Sequence, residues 1–273
     1  MNIVAALHGL SLAGYLGAGA IVASYLAAGR ASAPKSGVVL IACAVVAHAL
    51  ALVFYTIRFG ELPLVGLAAS LSTLAFLIGG SLLGAAVMRV IRPLALVLIP
   101  LVAVLLAIAL TLGVAPGGAP MQFRGVWFAA HVVLAFAAYT SLALAFAAAV
   151  LYLLQFRALQ DKNFGRAFRF FPPLETLDRF RQGALWTGYP ALTFALLLGW
   201  AWTVRFQNSL ATQNPQVIWG VVTWLVFGAA LLARKGGAGA ERRAASAAVA
   251  GFVVVVAAYM VLRAFMADGR VFL

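Results

Sequence analysis

Eight stretches of this chain run for about twenty residues or more with almost no charge, and that pattern restricts the fold more than any other feature. They are residues 2–28, 37–57, 64–88, 93–113, 125–156, 184–204, 216–233 and 245–267. A helix needs about 20 apolar residues to cross the hydrocarbon core of a bilayer. Backbone N–H and C=O groups find no water there, so a spanning segment must be a helix or part of a closed barrel. These stretches are continuous and rich in Ala and Leu, without the alternation of barrel strands. Composition agrees, since 65% of residues are hydrophobic and 9% charged, roughly a third of the charge of a soluble domain. The expected fold is an all-α polytopic membrane protein, a bundle of about eight transmembrane helices forming a single membrane domain over residues 1–273. The first stretch opens MNIVAALHG, with no basic leader and no small-residue cleavage signal after it. It reads as a retained helix rather than a signal peptide.

The net charge is +13, but its distribution points to a membrane surface and not to nucleic acid. Alternate connections carry Arg30 and Lys35, Arg89 and Arg92, the segment Arg157 to Arg181, and Arg234, Lys235, Arg242 and Arg243. The opposite side has Arg58, Arg124, Arg205 and Arg270. Positive residues in short loops mark the cytoplasmic side, which sets both termini outside. Anionic lipid at the cytoplasmic face accounts for most of the charge. Cys43, the single cysteine, lies in an apolar stretch and has no partner for an internal disulfide.

The longest connection reads RALQDKNFGRAFRFFPPLETLDRFRQG, residues 157–183. Its second half starts at Pro172-Pro173, suited to a first helical turn, with Glu175 complementing the positive helix end. Leu174, Leu177 and Phe180 are spaced at three, and Asp178, Arg179 and Arg181 fall on other faces. A short amphipathic helix lying at the cytoplasmic interface is expected, acting as a collar. The Gly- and Ala-rich segments 13–29 and 79–86 offer small faces for close helix packing.

Motifs of hydrolases, thiol redox enzymes and nucleotide-driven pumps are missing from the sequence: it has no Cys-x-x-Cys, P-loop, His-Glu-x-x-His or glycine-bracketed serine. What remains is three histidines, each inside an apolar stretch, and a set of cations. His131 lies six residues beyond Gly125, roughly 9 Å below the outer end of its helix. His8 is at a comparable depth. His48 is ten residues before Arg58, roughly 15 Å below the outer end of the second helix. Above them Arg58, Arg124 and Arg205 cap three different helices on the outer side. Imidazole in an apolar slot ligates haem iron, and arginine forks match carboxylates such as propionates. Each histidine could equally serve only as a hydrogen-bonding residue between helices. Singly, each arginine also suits an interface anchor, and Trp127, Trp200, Trp202 and Trp219 fall where an aromatic belt is expected.

The stretch FPPLETLDRFRQGALWTGYPALTFALLLGWAWT, with Gly188, Pro190, Leu192 and Thr193, resembles a segment of the CcsA/ResC/HemX superfamily of cytochrome c assembly proteins. Trp127, His131, Val132 and Tyr139 resemble a second segment, and His48 followed by Ala-Leu resembles a histidine of the family's second helix. The resemblance implies haem binding, with His131 an outer-face iron ligand and His48 a deeper one. The leading expectation is a b-type, non-covalent haem on His131 beside Trp127, with His48 or His8 as second ligand and Arg58, Arg124 and Arg205 as candidates for the propionates. The family's Trp-x-Trp-Asp-Pro-Lys segment is represented here by Ala211, Gln213, Asn214 and Pro215, and its helix-ending histidine by Leu232. Two of the four histidines of a full synthetase are therefore without counterparts. That favours an accessory or transporter-like protein over an enzyme, similar to the short HemX-like branch. The implied setting is a bacterial cytoplasmic membrane, with haem and membrane or cytochrome-assembly proteins as partners. The alternative function is a non-catalytic scaffold or regulator of haem biosynthesis, acting through the basic cytoplasmic connection.

Overall fold

The computed structural model describes residues 3–30, 35–64, 66–87, 93–116, 125–162, 165–207, 215–233 and 239–265. Each apolar stretch is a helix: α1 (Ile3–Ala27), α2 (Lys35–Phe59), α3 (Leu67–Val87), α4 (Ala95–Leu112), α5 (Gly125–Gln160), α7 (Leu174–Gln207), α8 (Pro215–Leu232) and α9 (Ala240–Phe265), with a five-residue α6 (Arg166–Phe170) between α5 and α7. Among the described residues there is no strand. Among the described residues six helices, α1 to α5 and α7, are long and apolar enough to cross a membrane. The chain is an all-α integral membrane protein.

One expectation needs correction. The segment from Leu174 is not a separate interfacial helix; it is the first part of α7, which runs 34 residues without a break. At 1.5 Å per residue that is about 51 Å, well beyond a core of about 30 Å. Gly183 lies at the expected boundary, but a helical glycine costs only about 1 kcal/mol and does not stop the helix. Burial differs as well. Asp178 and Arg181 are buried, whereas Arg179 is exposed and pairs with Glu175 at 2.7 Å.

Contacts divide the chain into two compact units. One holds α1 to α4 together with Leu154–Pro173, and the other holds α5 as far as Leu153 with α7, α8 and α9. In the first unit α1 packs against α2 and α4, and α3 against α2 and α4. Small residues let these helices approach closely, as expected for 13–29. A Cβ on Gly14 would lie 2.9 Å from the Ala44 Cβ, and one on Gly19 would lie 3.0 Å from Ile99 Cγ2.

In the second unit Ala138, Leu142, Ala145, Leu185, Leu192, Phe227 and Val255 form the core. Tryptophans lock its helices together through their polar edges, as a buried indole N–H requires. Trp224 Nε1–H donates to Thr193 Oγ1 at 2.8 Å, and Trp219 Nε1–H donates to the Val255 carbonyl at 3.2 Å. Tyr189 stacks on Trp224 with centroids 5.4 Å apart. Near the start of α7, Arg181 donates to Asp178 in a pair whose side chains are 1% and 9% exposed.

Breaking that buried pair strands a charge. Asp178→Asn is expected to cost about 3–5 kcal/mol, whereas Glu175→Gln, which opens the exposed pair, should cost under about 1 kcal/mol. Thermal unfolding of the two variants in detergent measures the difference.

Candidate functional site

The three histidines fall into two separate settings. His8 on α1 and His48 on α2 belong to the first unit, and both are fully buried. Their rings lie edge to face with centroids 5.4 Å apart. Ser72 of α3 stands between them: its Oγ is 2.8 Å from His8 Nε2 and 3.1 Å from His48 Nε2. His8 Nδ1–H donates to the Val4 carbonyl at 2.7 Å. With one proton on each ring, that bond fixes every other donor in the chain, because a carbonyl can only accept. Ser72 Oγ–H donates to His8 Nε2, and His48 Nε2–H donates to Ser72 Oγ. His48 Nδ1 is left with a lone pair, buried and without a hydrogen-bond partner.

The surroundings of His48 are aromatic, with Tyr15 at 6.1 Å and Phe76 at 5.6 Å between centroids. The Tyr15 hydroxyl, also buried and without a partner, points at Gly79 of α3, where a Cβ would collide with it. Run lengths set His48 well below His8, yet both rings converge on one oxygen. Pairing of His8 and His48 on one iron through Nε2 is closed off in this arrangement, since Ser72 occupies the space between those nitrogens.

His131 on α5 belongs to the second unit and is half-buried. Its Nδ1–H donates to the Ala195 carbonyl of α7 at 2.6 Å. Nε2 therefore keeps the lone pair, the arrangement in which histidine serves as a metal ligand: one nitrogen held by a carbonyl, the other free to coordinate. The ring lies over Gly199, where a Cβ would be 2.7 Å from Cε1 and 2.9 Å from Nδ1. A haem iron fits this atom. Trp127, one turn earlier on α5, is exposed, and so is Arg205 in the last turn of α7. Arg58 ends α2 in the first unit, with its guanidinium 5.5 Å from the Phe59 ring centroid. Arg124 lies outside the described residues. Among the described residues no three His, Cys, Asp or Glu side chains cluster to hold a bare metal ion.

Residues 37–267 match the family model described as cytochrome C assembly protein. The chain belongs to the cytochrome c assembly protein family. Within this family it is similar to the cytochrome c biogenesis protein CcsA of Guillardia theta, with 31% identity over 123 residues, 40% of this chain and 41% of that protein. It is also similar to the CcsA proteins of Microcystis aeruginosa and Nostoc punctiforme, each 37% identical over 60 residues, 22% of this chain and 18% and 17% of theirs. The chain thus spans less than half the length of the curated relatives it matches.

Ser72, Tyr15, Ala195 and Gly199 were not singled out by sequence reasoning. A serine in an apolar helix signals nothing until its partners are known. Gly199 carried a usable signal: it lies eleven residues after Gly188, about three helical turns and so on the same face.

Ser72→Ala would orphan two imidazole nitrogens at once, each costing about 1–3 kcal/mol. Ser70→Ala, which removes one bond to the Leu64 carbonyl, is the matched control. The loss of thermal stability in detergent should be clearly larger for Ser72→Ala, and equal losses would mean that the node does not form.

Proposed function

We propose that this protein binds haem and acts in cytochrome c maturation or haem handling in a bacterial cytoplasmic membrane, with both termini on the outer side. The carrying observation is the His131 ring, held through Nδ1 on a backbone carbonyl with Nε2 left to coordinate. Membership of the cytochrome c assembly family supports the setting, and the curated relatives are named for cytochrome c biogenesis. Bound haem would supply an iron centre and two carboxylates, held non-covalently in the b-type manner.

His131 is the proposed axial ligand. His48 is the other candidate nitrogen donor, through Nδ1, with Ser72 and His8 orienting it, because both nitrogens of His8 are already engaged. Arg205 is a candidate for a propionate, lying six residues beyond Gly199 on α7, roughly 9 Å along the axis. Arg124, Arg58 and Trp127 remain in the proposed set from the sequence. The residues of the family's synthetase motif that differ here favour a role in carrying or presenting haem over attaching it.

A second reading, a scaffold or regulator working through the basic segment 157–183, has less support. Arg181 is buried against Asp178, Arg157 pairs with Asp161 just past the end of α5, and Arg179 pairs with Glu175 within α7. That surface offers a partner fewer unengaged cations than its sequence suggests.

The test is haem loading of the detergent-purified protein with a visible spectrum and a stoichiometry. A Soret band of a histidine-ligated haem is expected, and His131→Ala should weaken binding at least about tenfold. No Soret band, or an unchanged one in His131→Ala, contradicts the reading.

A further inference from the structure

We propose that Gly199 is a positioning residue for His131, its missing side chain forming the dent in α7 that seats the imidazole with Nδ1 on Ala195 and Nε2 free for iron. This rests on the haem reading above and goes beyond it by naming what fixes the ligand.

Helices α5 and α7 touch at three levels, and each has a different device. At the first, a Cβ on Gly188 would lie 2.8 Å from the Ser141 Cβ and 3.4 Å from the Ala138 carbonyl oxygen. That glycine lets α7 lie close against α5. At the second, three turns along α7, the facing residue on α5 is His131, and the space at Gly199 is filled by its ring. At the third, Phe128 of α5 meets Trp202 of α7 with centroids 6.2 Å apart. His131 is thus held between a close approach of small residues on one side and an aromatic contact on the other.

The seat follows from helix geometry. A carbonyl at position i points toward residue i+4, so the Ala195 oxygen opens onto Gly199. A ring donating to that oxygen must lie over the Cα of residue 199. Any side chain there occupies the space of Cε1 and Nδ1 and lifts the ring from its acceptor. The ring would then lose the bond that fixes its tautomer, and Nδ1 and Nε2 would compete as the protonated nitrogen. The acceptor is a backbone atom, so no substitution at Ala195 removes it. Gly199 is the position through which the seat can be altered. Thr203 Oγ1–H donates to the Gly199 carbonyl at 2.9 Å, which ties the glycine to the next turn of α7.

The full chain loaded with haem in detergent gives the test, read by haem affinity and by the absorption and electron paramagnetic resonance signature of the axial ligand. Gly199→Ala should lower affinity about 10–100-fold, the range for lost support behind a ligating histidine, and move the signature toward that of His131→Ala. Gly188→Ala disturbs the same helix pair and should leave the signature of the parent protein. A second comparison relieves the clash altogether. Added imidazole should restore the signature in His131→Ala, where the dent is open. It should fail to do so in His131→Ala/Gly199→Ala, where the dent is filled. Equal rescue in both, or a parental signature in Gly199→Ala while His131→Ala loses it, overturns the positioning role and leaves the haem reading standing. If His131→Ala itself changes nothing, the haem reading fails.

Discussion

A polar atom in the hydrocarbon region has no water to bind, so it must find its partner inside the protein. That constraint reaches well beyond the backbone hydrogen bonds that make the chain helical. It explains why Ser72 sits between two imidazoles, and why the indole N–H groups of Trp219 and Trp224 each reach across to another helix. Each of these contacts joins polar groups that would be costly to bury alone. Within each unit they set register between helices whose apolar surfaces are otherwise interchangeable, because lipid is as apolar as leucine. Among the described residues a few buried polar atoms, His48 Nδ1 and the Tyr15 hydroxyl among them, are left without a hydrogen-bond partner.

Close packing supplies the second layer of order. Glycines at 14 and 19 bring α1 against its neighbours, and glycines at 188 and 199 do the same for α7. These positions serve different ends. At Gly14 and Gly188 the gain is proximity of one helix to the next. At Gly199 the space is taken by the His131 ring, whose Nδ1 is held by the Ala195 carbonyl.

Much of this was legible in the sequence, and the parts that were not share one physical cause. Long apolar runs specify helices directly, so all eight stretches are helical, six of them long and apolar enough to cross a membrane among the described residues. The lengths of α5 and α7 were harder to read, because a helix that leaves the bilayer meets no signal to stop unless a proline or a cap intervenes. Arg181 looked like a water-facing cation because its helix was read alone, and only packing of α7 reveals the side on which it is buried. His8 and His48 were each recognised as unusual, yet their shared serine was invisible, since a hydroxyl in an apolar run is as often bonded to its own helix. The resemblance to the cytochrome c assembly family is matched by the family model over residues 37–267. What no motif carried was the dent at Gly199, which has meaning only once α5 lies across it.

Proposed haem binding turns on one atom, Nε2 of His131, which keeps its lone pair because Nδ1 donates to the Ala195 carbonyl. A structure of the haem-loaded chain by electron cryomicroscopy tests this most directly. The account predicts iron coordinated by His131 Nε2, with the imidazole still over Gly199 and Nδ1 still on the Ala195 carbonyl. Iron bound to other residues, or a His131 ring turned away from α7, would contradict it.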